Sequence, residues 1–449
     1  MSKIVKLKKG FDLKLAGKAP LEMANLASAQ TFAIKPTDFP GIQRPKVLVN
    51  EGDTVKAGTP ILIDKAMDQV FYVAPVSGEI VEIKRGDKRK LLEIKILADQ
   101  TITHENFGKI DLNQDRDALA AKLASSGVWP NIIQRPYGVV ANPADSPKAI
   151  FISAFDSHPL APDYGFTLKG QEKFFQAGID ALAKLTTGKV HVNIDGSKPA
   201  PAIFSGVKNA QVNQFTGAHP AGNVGIQIHH LDPINKGEIA WTVSPVGVIQ
   251  IGKAVLEGIY DASKTIVLTG SELTKTGYVK TYTGANVSSY VKGNLNSGHV
   301  RVISGNVLTG EKINLDGHLG FYHSQITVIP EGDYEEFLGW VMPTTSKLSV
   351  HRALGMFSFL NKGEFKVDTN THGEERAFVV TGAFEKVLPM DILPTYLFKA
   401  IIAEDYDEME ELGLYELVEE DVALCEFVDP SKNELQVLVR HGIELLMYS

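Results

Sequence analysis

Cysteine is all but missing from this 449-residue chain, which holds only Cys425. One thiol cannot close an intrachain disulfide, and a single cysteine fits a reducing compartment. It also excludes, within this chain alone, a cysteine-ligated zinc site or a four-cysteine iron–sulfur cluster. Long apolar runs are absent too: none reaches the roughly 18 residues needed to span a bilayer. The basic start, Met1 to Lys9, has no apolar segment after it and does not read as a signal peptide. Positive charge is in short supply, 45 Lys and Arg against 53 Asp and Glu, a net charge of −8. With no basic stripe carrying interleaved aromatics, nucleic acid is not an expected partner. Gly-x-Ser-x-Gly, His-Glu-x-x-His and Gly-x-Gly-x-x-Gly do not occur, so the common hydrolase, metalloprotease and dinucleotide templates fail. These absences predict a protein of the cytoplasm, or of a cytoplasmic membrane face reached through partners.

What is present is a globular composition, 44% hydrophobic and 22% charged, long enough for two to four domains. The most informative stretch runs from Ser125 to Leu185. A buried-type strand, Ala149 to Phe155, stops at Asp156-Ser157-His158-Pro159. An amphipathic helix follows, roughly Gly170 to Leu185, with Phe174, Phe175, Ile179, Leu182 and Leu185 apolar, and then a strand from Lys189 to Ile194. Strand, helix and strand with short turns predict a βαβ crossover in a parallel sheet. Ligands of such sheets lie beyond the carboxyl ends of the strands, which places a site at Asp156 to Pro159.

Around this unit the chain divides into an N-terminal β-rich segment, 1–40, a small β-domain, 41–100, and an α/β domain, 101–258. A second β-domain, 259–330, and a mixed, mainly helical region, 331–449, complete it. Glu51-Gly52-Asp53, Ala57-Gly58-Thr59 and Val76-Ser77-Gly78 punctuate the short strands of the first β-domain. That domain resembles a lipoyl/biotinyl-carrier barrel. Asp64-Lys65-Ala66 superficially matches the carrier hairpin but runs straight into Met67-Asp68-Gln69, so a structural turn is expected. Ala202 to Phe204 and Ala210 to Phe215 are further candidate strands, and 389–403 and 405–418 candidate helices. Ser431 to Glu434 reads as a capping box. Ten acidic residues fall between Glu404 and Asp421 with no Lys or Arg from Lys399 to Lys432, a solvated face or a dock for a basic partner.

His219, His229, His230 and Asp232 are the densest group of metal-type ligands. Adjacent histidines on a strand point to opposite faces, so structural histidines are expected rather than a metal site. His158 at the strand end could donate to a carbonyl or move a proton near neutral pH. Gly217 to Gly222, with His219 among them, could bring backbone amides to a phosphate, though no P-loop lysine follows. Trp129, Arg135 and Tyr137 could cover a flat ring. No catalytic residue is assigned.

Three stretches carry a family resemblance: Val5 to Gly17, Gly217 to Gly222 with Ile228 to Pro233, and Cys425 to Pro430. In this order the chain resembles, over essentially its whole length, the NqrA family, a component of the sodium-translocating NADH:quinone oxidoreductases (Na+-NQR). That family is related to the RnfC component of the Rnf complex and to the flavin component of respiratory complex I. The resemblance implies a multidomain α/β fold: a Rossmann-like core, a barrel-sandwich hybrid, an SLBB β-grasp-like domain at 259–330 and a helical C-terminal domain. In the complex I relatives a glycine-rich loop approaches the flavin. The matching place here, Gly127 to Gly138, carries Trp129, Ile132, Ile133 and Arg135, side chains that would fill the flavin's space, and one cysteine cannot build the cysteine-ligated cluster in which those relatives end; the resemblance thus implies a chain without a flavin, an iron–sulfur cluster or any covalent cofactor of its own. NADH and flavins would be handled by other subunits, membrane subunits among the partners, and quinone would be the substrate of a complex that exports sodium. The protein would sit peripherally on the cytoplasmic side of the cell's inner membrane and contribute to quinone binding. Trp129, Arg135, Tyr137, Phe155, Asp156 and His158 are the expected quinone residues, and Gly217, His219 and Gly222 a loop of further ligand contact. A purely structural role in the complex is the alternative, an autonomous flavin or NAD oxidoreductase a more distant one.

Overall fold

Strands Ala149–Ser153 and Lys189–Asp195 lie side by side in parallel, with helix Glu172–Leu185 crossing between them. The computed structural model describes residues 2–448 other than 297, 340–341, 343, 351–359 and 362. The crossover helix turns Phe175, Ile179, Leu182 and Leu185 inward, the spacing that one apolar helix face requires. Each such side chain contributes about 1.5–3 kcal/mol on burial. It packs on helix Pro245–Glu257, and the approach is close. A Cβ on Gly178 would stand 2.1 Å from the Val248 carbonyl oxygen, and one on Gly252 1.8 Å from that of Phe174. Only glycine fits at that crossing.

The sheet has seven strands. In spatial order Ile4–Lys6, Gln211–Thr216, Lys189–Asp195, Ala149–Ser153 and Ala240–Val243 are parallel, and Ile132–Arg135 and Val139–Val140 continue it antiparallel. The α/β core expected from the crossover is therefore present, with one edge antiparallel. Ala202 to Phe204, expected as a strand, forms turns instead, because Ser205 bonds back to Pro201 and Ala202.

Among the described residues, 2–40 make no sheet of their own. Ile4–Lys6 is the edge of the α/β sheet, and Thr31–Ile34 joins Leu91–Ala98, Gly78–Arg85 and Thr54–Val55 in a four-stranded sheet. A three-stranded sheet, Pro45–Val47, Pro60–Asp64 and Met67–Val73, faces it across Ile61, Leu62, Val70, Ile80, Ile94 and Ile96. The hairpin turn at Lys65 is tied by the buried Asp64 carboxylate, which accepts the amides of Gln43, Arg44 and Ala66. Strands Ser263–Thr269, Gly277–Tyr282, Val300–Ser304, Glu311–Ile313 and Gln325–Pro330 form the second β-domain as one five-stranded sheet.

The C-terminal helices Pro394–Ala403, Tyr406–Glu411, Glu419–Val428 and Leu435–Tyr448 enclose a separate core of Leu397, Phe398, Met409, Val422, Leu424, Val439 and Ile443. The helix expected from 389 starts at Pro394, and that expected over 405–418 stops at Glu411. The Ser431 hydroxyl donates to the Ala377 carbonyl, and the last helix begins only at Leu435, so the capping box expected from Ser431 does not start it. Among the described residues no helix is long and apolar enough to cross a membrane.

Candidate functional site

A cavity of about 560 Å³ opens beyond the carboxyl ends of strands Ala149–Ser153 and Lys189–Asp195. Such volumes suit a small organic ligand. Its walls come from distant segments: Leu13 and Leu15 near the N-terminus, Phe155 to Gly165 after the first strand, and Val267 and Tyr278 of the second β-domain. Lys14, Lys18 and Lys198 add positive charge at the lining, with Asp12, Asp163 and Asp195 among the acids.

Asp156 and His158 form the polar floor. The Asp156 carboxylate sits 2.7 Å from His158 Nδ1 and also accepts the His158 amide at 2.8 Å, a turn that fixes both side chains. Burial works against the His158 charge, but the Asp156 carboxylate outweighs it, so the ring titrates above the usual histidine range. Asp156 is likewise opposed by burial, and its charged neighbour holds it below the usual carboxylate range. Against His158, 4.6 Å between ring centres, lies His219. Burial first and the His158 charge second push His219 down to about 3, so it is neutral at any ordinary pH. Nε2 of both rings is buried and has no hydrogen-bond partner among the described residues.

The loop Gly217 to Gly222 acts as a brace. The His219 amide donates to Asp12 and its carbonyl accepts from Phe11, which seats the N-terminal segment on the loop. Ser157 Oγ lies 3.0 Å from His219 Nδ1 and accepts the Gly222 amide at 2.8 Å. A Cβ at Gly222 would fall 2.6 Å from the Ser157 amide, so the small residue is required. Gly217 lies against Leu7.

Of the nine residues singled out in the sequence, Phe155, Asp156 and His158 line the cavity, and His219 and Gly222 stand directly behind them. Trp129, Arg135 and Tyr137 are elsewhere. Trp129 is fully buried, edge-on to Trp241 at 5.5 Å, with its indole N–H on the Ala141 carbonyl. Arg135 is buried between Glu420 at 2.7 Å and Asp421 at 3.0 Å. Tyr137 meets Tyr415 edge-on. All three face other core elements or the helical domain rather than the cavity.

Tyr164 and Tyr278 also line the cavity, and no sequence motif marked either. Burial raises both phenols, which therefore keep their protons. The Tyr278 hydroxyl accepts the Asp163 amide at 3.1 Å, leaving its own proton for another acceptor. Tyr164 follows the Pro-rich connection after the first strand, a placement visible in the chain; nothing local ties Tyr278 to it.

His229 and His230 sit on a helix, Val224–Leu231, rather than a strand. His229 pairs with Glu416 at 2.8 Å, and His230 Nε2 meets the Pro389 carbonyl at 2.8 Å. Among the described residues no group of three or more His, Cys, Asp or Glu is arranged around a metal-sized space.

Comparison with known proteins gives three family matches: the NqrA N-terminal barrel-sandwich hybrid domain at residues 5–99, the NqrA second alpha/beta domain at 114–260 and the NQRA C-terminal domain at 265–314. The NqrA component of the Na(+)-translocating NADH-quinone reductase of Serratia proteamaculans is 37% identical over 445 residues, 97% of this chain and 98% of its own length. Its counterpart in Haemophilus influenzae is 38% identical over 448 residues, 98% of this chain and 99% of its own. A solved NAD+-reducing [NiFe]-hydrogenase matches 77% of this chain and 68% of its own at 12% identity and a TM-score of 0.37, too slight a likeness to argue from.

Proposed function

The chain belongs to the NqrA family of the Na+-translocating NADH-quinone reductases, and on that footing we propose that it is a peripheral component, on the cytoplasmic side, whose cavity receives a quinone. The observation that carries this reading is the cavity beyond Ala149–Ser153 and Lys189–Asp195, with Phe155, Leu160 and Pro162 as apolar wall and the Asp156–His158 pair as floor. A quinone ring is flat and apolar and presents two carbonyl acceptors, so it calls for a slot with donors at its ends. Tyr278 and the lysines at the lining supply such donors. Reduction to the quinol also consumes protons, and a histidine held charged by a carboxylate can supply one at neutral pH.

In this reading NADH oxidation and the flavins belong to other subunits. Trp129, Ile132 and Arg135 occupy the loop where flavin-binding relatives carry glycines, and all three are buried in the core. The same packing favours a rival, purely architectural role, since Trp129, Arg135 and Tyr137, three of the six quinone residues expected from sequence, are placed away from the cavity. A photoreactive short-chain quinone added to the assembled complex separates the two. Adducts on peptides containing residues 155–165 or Tyr278, competed by unlabelled quinone, are expected. Adducts only on other subunits would leave this chain the architectural role.

A further inference from the structure

Helix Pro394–Ala403 buries Leu397, Phe398, Ala400 and Ile401 in the helical core. Its solvent side carries Leu393 at the N-cap, Tyr396, Lys399, Ile402 and Ala403. Leu393, Tyr396 and Ile402 are 55%, 54% and 57% exposed. A surface helix normally keeps charge on that side, and here Lys399 alone does so. Tyr406, exposed at the start of the next helix, extends the apolar row.

The acidic stretch beside this row is split by the fold. Glu410, Glu416, Glu419, Glu420 and Asp421 are consumed by Lys236, His229, Arg440 and Arg135. Glu404, Asp405, Asp407, Glu408 and Glu411 remain exposed. Among the described residues Asp407, Glu408 and Glu411 make no ion pair, while Glu404 has only the edge of His441 at 3.5 Å. An exposed apolar row followed in the chain by unneutralised carboxylates has the pattern of an interaction surface.

The charge selects the partner. Anionic lipid headgroups would be repelled by these carboxylates. A second copy of this chain, docked face to face, would bring the same carboxylates against themselves. We infer that the face formed by Leu393, Tyr396, Ile402 and Tyr406, with the carboxylates that follow it in the chain, docks a lysine- or arginine-rich amphipathic segment of another polypeptide. The apolar side of that segment would cover the tyrosines and Ile402, and its basic side would meet Asp407, Glu408 and Glu411.

Cys425 is buried, so a cysteine placed on this face is the chain's accessible thiol. The Tyr396→Cys variant, alone and in its native assembly, is to be labelled with a maleimide. Labelling in the assembly should be slower by roughly tenfold, the protection of a site about nine-tenths occupied. Reversing Asp407, Glu408 and Glu411 to lysine should abolish that protection. A benzophenone maleimide on the same variant should cross-link in the assembly to a peptide rich in Lys or Arg. Equal labelling rates in the two states would overturn the inference. So would cross-links to lipid, to a second copy of this chain or to a segment without basic residues, or protection that survives the charge reversal.

Discussion

Arg135 Nη1 donates to Asp421 Oδ2 at 3.0 Å, with both side chains buried and 286 positions between them. One guanidinium, shared with Glu420 at 2.7 Å, thus joins the antiparallel edge of the α/β sheet to the helix Glu419–Val428. Asp421 also caps that helix by accepting the Val418 amide, and burial pushes its carboxyl up against the pull of Arg135. Removing one partner leaves a buried charge uncompensated, a loss of roughly 3–5 kcal/mol. Arg135→Ala should lower unfolding stability by that order in a denaturant titration. A loss under about 1 kcal/mol would show that the pair is not what joins the domains.

The Asp156–His158 pair makes a pH prediction. His158 is raised in the folded state, so its contribution is present in full below the unfolded value near 6.5 and fades as pH rises past the folded value. Asp156 is lowered, so its contribution is present above about 3.9 and is lost as pH falls through the folded value. The pair therefore stabilises most between those limits, in mildly acid solution. Ring-proton NMR should show His158 titrating above the usual histidine range and His219, held near 3, not titrating at all between pH 8 and 5. In Asp156→Asn the His158 midpoint should fall. An unchanged midpoint would remove the carboxylate as the cause.

Lys264 is buried in the five-stranded sheet and donates to the carbonyls of Phe321 and His323, and burial lowers it to about 7. Between that value and the unfolded value near 10.4 the unfolded chain binds more protons, so stability rises with pH over this window. From pH 7 to 9 the gain from this one group is on the order of 2 kcal/mol. Lys264→Met should flatten that slope in unfolding experiments at the two pH values, while losing stability overall because two carbonyls go unpaired. A slope unchanged in the variant would assign it to other groups.

Local pattern and distant packing account for what could be read ahead of the structure. The crossover was legible because Phe175, Ile179 and Leu182 repeat on one helix face, the strand before it is an apolar run from Ala149 to Ile152, and the strand after it places Val190, Val192 and Ile194 at every second position. Asp156 and His158 were legible because a parallel strand ends immediately before them. Trp129, Arg135 and Tyr137 misled because their partners Trp241, Asp421 and Tyr415 lie more than a hundred positions away. No local signal distinguishes a loop aromatic that covers a ligand from one that fills a core. The acidic stretch is the same lesson: its composition does not tell which five carboxylates meet His229, Lys236, Arg135 and Arg440. Helix Val224–Leu231 was obscured by adjacent glycines and by β-branched residues that suit either state.

The central claim, that the cavity takes a quinone, is tested most directly at His158. Titrating the full-length chain with a short-chain quinone while following the His158 ring resonance reports from the floor of the cavity. A saturable shift of that resonance, absent in a parallel titration of a Tyr278→Trp variant that fills the slot, is the result predicted. A His158 signal that stays put at saturating quinone, both in the chain alone and in the assembled complex, would contradict it.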